Sequence, residues 1–401
     1  MQPIQFFSLE RQIKSLEVEL QKTISKVMSS QQFIGGTYVE TFEKKFAGYL
    51  KTQHVIACNS GTDALWLALK ALNIQQDTIV LTTPFSFIAS CSEIVAHKAH
   101  PVFIDIDEET FNICPEKINQ WLKQNTKNIN GVTIHKATSF PVVGIIAVDL
   151  FGQSADYAAI KNIAQEWNLW VIEDTAQAAG ATYQDQQAGT HGTIGCFSFY
   201  PTKNLGAFGD AGCCCTSDPY LAEKIVRLRN HGRKTHYDYI EKGINSRLDG
   251  IQAAILNLKL DFLEVWNKRR NEIASRYNSA FAGHPFIKTP QARLGQHVYH
   301  QYSIQLNSQF VRTELEKYLT EQNVGVRIFY QQSLQDVPFL NTNSTLTSEC
   351  PIARNLTTTI LALPIWPELT DQEVEHAIQV IKNAPIFDKV VKPQQAKTIE
   401  Y

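Results

Sequence analysis

The chain has 401 residues, of which 44% are hydrophobic and 19% charged, a balance typical of a globular protein. Its 37 basic and 39 acidic residues leave a formal net charge of −2, which excludes the strongly basic surface of a dedicated nucleic-acid or membrane-surface binder. At about 150 residues a domain, the length predicts two or three domains, or one large and one small. The longest apolar run, residues 142–148, is too short to span a bilayer.

Short β-rich runs alternate with amphipathic stretches up to Asn230. The runs predict seven strands, at 54–58, 79–82, 101–105, 143–149, 169–173, 194–199 and 211–216. The stretches between them predict helices at 62–72, 86–97, 115–122, 156–167 and 219–230. Continuous apolar strands that alternate with helices indicate an α/β fold, with a mostly parallel sheet covered by helices on both faces.

The pattern changes in the last third of the chain. Residues 250–277 predict one long helix, and the elements beyond Gly283 become shorter and more mixed. These are strands at 297–306 and 324–330 and helices at 311–322 and 370–383. We therefore expect a large domain over residues 1–250, then the long connecting helix with a small C-terminal α+β domain over residues 251–390, and a flexible tail over residues 391–401.

The cysteines and histidines favour no metal site. The eight cysteines contain no C-x-x-C pair, and cysteines 213–215 would alternate between the two faces of a strand. His297 and His300 lack a third ligand nearby. No signal peptide is recognisable at the N-terminus, so we expect a cytoplasmic protein with reduced, buried cysteines and no bound metal.

Two clusters of residues suggest binding chemistry at the ends of predicted strands. Residues 59–63, N-S-G-T-D, open a predicted helix, where unpaired N–H groups and the helix dipole favour an anion; a plain helix cap is the alternative. Residues 171–177 end an apolar strand with Asp174, at the edge where parallel sheets bind ligands. A buried carboxylate there needs a partner, such as a cationic cofactor ring, although a helix cap is again the alternative.

A third cluster is S-F-Y-P-T-K-N-L over residues 198–205, followed by a glycine-rich stretch. Desolvation would lower the pKa of the Lys203 amine and allow it to attack a carbonyl, whereas an ordinary solvent-facing lysine would do nothing of the kind. Together the three clusters supply what pyridoxal phosphate requires: a phosphate-binding turn, an acid for the pyridine nitrogen and a lysine for the aldehyde.

With the three clusters in this order, the chain resembles the DegT/StrS-type nucleotide-sugar aminotransferases, pyridoxal-phosphate enzymes of the aspartate-aminotransferase fold (fold type I). The resemblance runs from about residue 6 to residue 382. It is carried by N-S-G-T-D-A-L (59–65), T-P-F-S-F-I-A-S (83–90), I-E-D-T-A-Q-A-A-G-A (172–181), C-F-S-F-Y-P-T-K-N-L-G (196–206) and G-I-N-S-R-L-D-x-x-Q-A-A-I-L (243–256).

The resemblance implies a role for each matching position. Lys203 corresponds to the lysine that bonds to the cofactor, Asp174 to the acid paired with the pyridine nitrogen, and Gln177 to the residue beside the ring hydroxyl. Phe87 corresponds to the aromatic residue stacked on the ring. The residues implied in binding the phosphate are Gly61, Thr62 and Ser198.

The resemblance also implies a homodimer with shared active sites, because Asn245 corresponds to an asparagine that reaches the phosphate of the neighbouring subunit. Arg247 and Tyr330 are candidates for substrate binding, Arg247 through the negative groups of the substrate. Tyr330 lies in a stretch that usually carries a His-Tyr-Pro core, in which Phe329 and Gln331 replace the histidine and the proline here. The segment 125–139 is longer than is usual in the family.

The implied activity is amino transfer from an amino acid, L-glutamate by similarity to the family, to a UDP- or dTDP-linked keto sugar with ping-pong kinetics. The residues at 243–256 look most like those of family members that act on 3-keto sugars, which favours a 3-keto over a 4-keto position. A sugar dehydratase, which usually replaces the lysine by histidine, and a non-catalytic binding or regulatory protein are the alternatives on the same scaffold. Asp174, Lys203 and Asn245 are all present, which favours the aminotransferase. The sugar and the stereochemistry of the amine stay open.

Overall fold

A computed structural model describes residues 3–346 and 348–391 of the chain. The predicted tail over 391–401 lies outside these residues, apart from Val391 at the end of the last helix. The helices are α1 Glu10–Ser15, α2 Glu17–Ser30, α3 Thr37–Leu50, α4 Gly61–Ala71, α5 Ala89–Ala96, α6 Pro115–Asn125, α7 Tyr157–Glu166, α8 Pro219–Leu228, α9 Gly250–Leu260, α10 Leu263–Phe281, α11 Gln309–Glu321, α12 Pro351–Thr359, α13 Asp371–Lys382 and α14 Pro385–Val391.

A seven-stranded sheet in the order β1-β11-β10-β7-β6-β2-β3 forms the centre of the fold. From β10 to β3 in this order, each strand is parallel to the next, whereas β11 runs antiparallel to both β10 and β1. The strands of the described chain are β1 His54–Cys58, β2 Ile79–Thr82, β3 His100–Phe103, β4 Thr126–Ile129, β5 Val132–His135, β6 Val142–Val148, β7 Trp170–Asp174, β8 Thr182–Tyr183, β9 Gln186–Gln187, β10 Ile194–Ser198, β11 Gly212–Thr216, β12 Ile287–Lys288, β13 Tyr302–Leu306 and β14 Ile360–Leu363. The predicted fold class is confirmed.

The central strands are mostly apolar because helices cover both faces of the sheet, and the acids Glu173 and Asp174 come only at the end of β7. Alternate residues of β6 enter different cores: Ile146 packs with α4 and α8, whereas Ile145 packs with α6 and α7. The cysteine run of β11 shows the same alternation, with Cys214 in the first core and Cys213 and Cys215 in a core shared with α3 and α9. Within the described residues, no group of three His, Cys, Asp or Glu side chains is placed to hold a metal ion.

A second, smaller sheet, β12-β13-β14, packs with α10, α11 and α13 around its own buried core. The N-terminal residue Ile4 belongs to this core, where it bridges to Val324. We therefore propose that the domain division near residue 250 also assigns the first residues of the chain to the C-terminal unit. No helix in the described ranges is long and apolar enough to cross a membrane.

Three predicted elements differ from the structure. The long helix over 250–277 is two helices, because a tight turn at Asp261 and Phe262, with Phe262 N donating to Lys259 O (3.0 Å), separates α9 from α10. Residues 324–330 form no strand, since they make only single bridges to Ile4 and Ala362. The strand at 297–306 starts only at Tyr302.

The long segment 125–139 has a simple structure. Strands β4 and β5 form a hairpin that joins α6 to β6 and pairs Thr126 with His135. Thr133 donates its hydroxyl hydrogen to Trp167 O (2.6 Å), which ties the hairpin to the end of α7. The insertion therefore lies at the amino-terminal side of β6, opposite to the strand ends that carry the predicted site residues.

Candidate active site

Asp174 is the last residue of β7 and is 5% exposed. Its Oδ2 accepts a hydrogen bond from Ser90 Oγ (2.6 Å), and its Oδ1 accepts one from Ala176 N (3.2 Å). Burial raises the pKa of this carboxyl, while the two donors and the charge of Lys203 act in the opposite direction. The predicted acid is therefore buried at the carboxyl edge of the sheet, with a cation facing it.

Lys203 lies in the turn that follows β10, where its backbone N donates to Tyr200 O (2.8 Å). Burial lowers the pKa of its amine to about 8, against the opposing effect of the Asp174 charge. Among the residues that the structure describes, none forms a hydrogen bond or an ion pair with this amine. A lysine held in this way is neutral in a substantial fraction near pH 8, as a nucleophile requires.

Gln177 and Tyr330 meet beside Asp174. Gln177 Nε2 donates to the Tyr330 hydroxyl (2.9 Å), and Gln177 Oε1 accepts from Phe151 N (2.8 Å). The Tyr330 ring makes an edge contact with Phe85, with ring centroids 5.7 Å apart. Burial raises the pKa of Tyr330, so its hydroxyl is protonated at neutral pH. The structure thus brings a predicted ring-hydroxyl residue and a predicted substrate residue together.

Gly61 and Ser198 are in direct contact at the start of α4. A Cβ atom added to Gly61 would lie 2.7 Å from Ser198 Cβ, so only glycine allows this approach. Ser60 caps the helix by accepting from Asp63 N (3.0 Å), which confirms part of the alternative assigned to this turn. The cap does not use the N–H groups of Gly61 and Thr62, which as first-turn donors have no partner within the helix.

Phe87 lies between β2 and α5, on a loop whose neighbouring side chains, Phe85 and Ser86, are buried. Its own ring is 56% exposed, which is unusual for a phenylalanine on an otherwise buried loop. A hydrogen bond from Leu334 N to Pro84 O (2.8 Å) connects this loop to the segment at Leu334. An exposed aromatic ring on a fixed loop suits a flat ligand.

The predicted dimer residues lie apart from these groups. Asn245 is exposed and pairs with Asn230 in a single bridge, and Arg247 Nη1 donates to Asn230 Oδ1 (3.3 Å). The Nε of Arg247 is buried and has no partner in the described chain. No contact joins Asn245 or Arg247 to Lys203 or Asp174 among the described residues. The prediction that they act in the neighbouring subunit stays a prediction.

A buried polar network on α10 fixes the turn that carries the lysine. Asn204 Nδ2 donates to Asn267 Oδ1 (2.8 Å) and to Val298 O (3.0 Å), while Asn267 Nδ2 donates to Ala179 O (3.0 Å). Arg270, 2% exposed, donates to three carbonyl oxygens. They are those of Tyr299 (3.1 Å), His300 (3.4 Å) and Ile365 (2.9 Å). One helix face therefore holds the loops on either side of the site.

Sequence reasoning missed several residues of the site. Ser90 donates a hydrogen bond to Asp174. The imidazole of His300 is hydrogen-bonded to Asn204, and burial and the Lys203 charge hold the pKa of this imidazole well below its ordinary value. Asp149 accepts from the Tyr157 hydroxyl (2.8 Å) and from Thr175 Oγ1 (3.1 Å). Ser90 is the last residue of the motif at 83–90, but nothing in the sequence linked it to an acid 84 residues away.

The residues present fit pyridoxal phosphate. The first N–H groups of α4 have no partner within the helix and lie next to Ser198, where they could hold a phosphate, and the desolvated Lys203 amine is available for an aldehyde. Asp174 supplies a buried anion for a protonated ring nitrogen. The three features lie at one edge of one sheet, which is where open α/β sheets bind ligands.

The comparisons with known proteins agree with this fit. Residues 14–382 match the model of the DegT/DnrJ/EryC1/StrS aminotransferase family, and the chain belongs to that family. The predictions of the family, of an aminotransferase and of a pyridoxal-phosphate cofactor are confirmed.

Three relatives each align with 94% of the chain. A pleiotropic regulatory protein of Geobacillus stearothermophilus is 36% identical, with 97% of its length covered. A UDP-N-acetyl-3-dehydro-alpha-D-glucosamine 3-aminotransferase of Acidithiobacillus ferrooxidans is 35% identical, also with 97% covered. A dTDP-3-amino-3,6-dideoxy-alpha-D-galactopyranose transaminase of Aneurinibacillus thermoaerophilus is 36% identical, with 98% covered.

Two solved structures have the same fold. DesV of Streptomyces venezuelae superposes with a TM-score of 0.87 at 32% identity, over 95% of this chain and 98% of DesV. The NtdA protein of Bacillus subtilis, solved with bound pyridoxamine phosphate, gives a TM-score of 0.85 at 27% identity, over 97% of this chain and 86% of NtdA.

Proposed function

We propose that this protein transfers an amino group from an amino acid, L-glutamate by similarity to the family, to the 3-keto group of a UDP- or dTDP-linked sugar. The observation that carries the proposal is the placement of the desolvated Lys203 amine and the buried Asp174 carboxyl at one sheet edge, each within reach of the charge of the other. Two of the named relatives carry the names of enzymes that act on UDP- and dTDP-linked sugars, which supports the substrate class.

Each side chain has a proposed task. The first N–H groups of α4 and the Ser198 hydroxyl hold the phosphate, Phe87 covers one face of the ring, and Gln177 lies beside the ring hydroxyl. Bound pyridoxal phosphate supplies an electron-withdrawing ring that stabilises negative charge on the reacting carbon. Asp174 keeps the ring nitrogen protonated by charge pairing. The free Lys203 amine would accept at Nζ a proton from the donor carbon that bears the amino group, and would return it to the carbon on the other side of the transferred nitrogen.

The order of the steps follows from a shared site. Because the donor and the sugar would react in turn beside the same Lys203 Nζ, with the amino group carried on the cofactor between the two half-reactions, we expect the donor product to leave before the sugar enters, which gives ping-pong kinetics. Arg247 and Tyr330 are proposed to bind the sugar nucleotide. Asn245 is proposed to reach the cofactor phosphate of the neighbouring subunit in a homodimer, with Arg247 on the same loop.

A second candidate is a regulatory protein without turnover, since one relative of 36% identity carries a regulatory name. This candidate predicts that the protein binds the cofactor and yet produces no amino sugar.

The test is incubation of the protein with glutamate and a panel of 3- and 4-keto UDP- and dTDP-sugars, followed by mass spectrometry. An amino sugar from a 3-keto substrate, absent with Lys203→Ala, is the expected product. A dehydrated sugar would instead favour the dehydratase alternative. No product from any substrate or amino donor, with cofactor bound, would contradict the transferase proposal and favour the regulatory one.

A further inference from the structure

Two buried serine side chains connect α5 and the loop before it to Asp174. Ser86 and Ser90 are 2% and 1% exposed, and their Oγ atoms are 2.9 Å apart. Ser90 Oγ donates to Asp174 Oδ2 at 2.6 Å, a short distance for a bond to a carboxylate. The three side chains therefore form one continuous hydrogen-bonded chain inside the protein.

The direction of this chain is fixed by the number of protons available. A serine hydroxyl has one hydrogen, and that of Ser90 is used on Asp174. Ser90 must accept in its contact with Ser86, so Ser86 is the donor. Both hydroxyl dipoles then point towards the carboxylate, and each bond strengthens the next. Such a chain stabilises the ionised form of Asp174.

Two further acids, Asp149 and Glu173, are buried in the same part of the sheet. Burial raises the pKa of Asp149 to about 7 and that of Glu173 to about 8. Asp149 accepts from Ala155 N, Tyr157 and Thr175, whereas Asp174 accepts from only two groups in the described chain. The titratable side chains that face Asp174 are Cys91, Asp149, Tyr157, Cys196, Lys203 and Tyr330.

We propose that Ser90, supported by Ser86, is a positioning residue that keeps the Asp174 carboxyl ionised, and so prepares the site for a protonated ring nitrogen. The proposal rests on the proposed function in one respect, the pairing of Asp174 with the cofactor. Loss of Ser90 would leave Asp174 with a single hydrogen-bond donor, Ala176 N. The buried carboxyl would then be protonated more readily, and a protonated Asp174 could no longer pair with the cation.

The experiment measures binding of pyridoxamine phosphate to cofactor-free protein by fluorescence, from pH 6 to pH 9. A hydrogen bond to a charged group corresponds to about a 10- to 100-fold change in affinity. Ser90→Ala should weaken binding by this factor at pH 7, with the loss reduced at higher pH as Asp174 ionises again. Ser86→Ala should give a smaller change in the same direction.

Ser92→Ala is the matched control, because Ser92 lies on the same helix but donates to Glu93 (3.1 Å). It should bind as the wild type does. Infrared or 13C NMR titration of the carboxyls in cofactor-free protein gives a second readout, in which Asp174 should titrate at higher pH in Ser90→Ala. If Ser90→Ala fails to fold, Ser86→Ala carries the same test.

The outcomes separate the two proposals. A folded Ser90→Ala or Ser86→Ala variant with unchanged affinity, pH profile and carboxyl titration would overturn the role of Ser90, even if Asp174→Ala loses the cofactor. Wild-type affinity in Asp174→Ala would instead overturn the pairing of Asp174 with the ring, and with it the proposed function of that residue. Weakened binding in the serine variants at pH 7, recovered as the pH rises, supports the proposal.

Discussion

Two lysines in the described chain have a pKa of about 8, so desolvation alone does not identify the reactive one. Lys259 is 2% exposed, donates to Gly206 O (2.6 Å), and lies between the rings of Phe208 and Trp266. The Lys203 amine, in contrast, lies within reach of the Asp174 charge and has no hydrogen-bond partner in the described chain. The two lysines therefore differ in their partners and not in their pKa.

Borohydride reduction of the cofactor-loaded protein, followed by peptide mapping, should place the cofactor on Lys203 and none on Lys259. Lys203→Ala should still bind pyridoxamine phosphate, because the phosphate and ring contacts remain, but its turnover should fall by about 10² to 10⁴ or more. A label on Lys259 or Lys224 would show that the wrong lysine has been assigned.

Desolvation of Lys203 should also affect stability, because its pKa falls from 10.5 to about 8 on folding. Between these values the unfolded chain binds more protons than the folded one, so the free energy of unfolding rises with pH. Below pH 8 the full penalty applies. Cofactor-free Lys203→Met should therefore be more stable than the wild type at pH 7, by about 1–3 kcal/mol, and the gain should shrink as the pH approaches 10.5.

Urea unfolding at pH 7 and pH 10 measures this effect. Lys22→Met, on an exposed face of α2, is the control and should show no such pH dependence. A gain in stability that is equal at both pH values would mean that the Lys203 amine is not desolvated.

The start of α4 offers a test in which one helical glycine is compared with another. Gly61→Ala would force a Cβ atom to 2.7 Å from Ser198 Cβ, whereas Gly48→Ala, within α3, meets nothing within 4 Å. Gly61→Ala should destabilise the protein by about 1–3 kcal/mol and weaken cofactor binding, since it displaces the turn proposed to hold the phosphate. Gly48→Ala should stabilise it by about 0.5–1 kcal/mol.

Denaturant unfolding and a cofactor-binding curve distinguish the two variants. Unchanged cofactor affinity in a folded Gly61→Ala protein would remove α4 from the phosphate site. Loss of affinity in both variants would indicate a general effect of added side chains.

The sheet was predictable because fully buried strands are continuous apolar runs, and β1 and β2 match their predicted bounds. The break between α9 and α10 was not, because Phe262 keeps dihedral angles in the right-handed helical region (φ −105°, ψ −8°) and the apolar spacing continues through it. Residues 324–330 are typical of a strand, and nothing in their sequence indicated that they would make only single bridges, to Ile4 and Ala362.

The site was predictable in part. Asp174, Gln177 and Tyr330 come together as neighbours, and their motifs marked them. Ser90 and Asp149 escaped notice because their roles depend on which strands are adjacent, and a serine or a second acid has no signature of its own. A single chain also holds no information on what Asn245 and Arg247 meet in a partner subunit.

The last prediction concerns the proposed dimer. If Asn245 and Arg247 complete the neighbouring site, a mixture of inactive Lys203→Ala protein with an inactive Asn245→Ala/Arg247→Ala protein should regain activity. In a mixed dimer one site collects both defects and the other is intact. Random exchange at equal amounts should give about a quarter of the wild-type activity in an isologous dimer.

Mass spectrometry of the mixture must show that subunits have exchanged. If they have, and the activity stays at the sum of the two parents, Asn245 and Arg247 act within their own subunit. The double variant is preferred to Asn245→Ala alone, because one lost phosphate hydrogen bond, worth about 1.5–3 kcal/mol, leaves a measurable rate.

The polar face of α10 has a mechanical meaning. Asn267 and Arg270 lie one turn apart and hold the lysine turn, the loop after β7 and the segment before β13 at the same time. These hydrogen bonds join the C-terminal unit to the large one next to the turn that carries Lys203. A substitution on this face of α10, such as Asn267→Ala, would therefore loosen the lysine turn and the contact between the two units together.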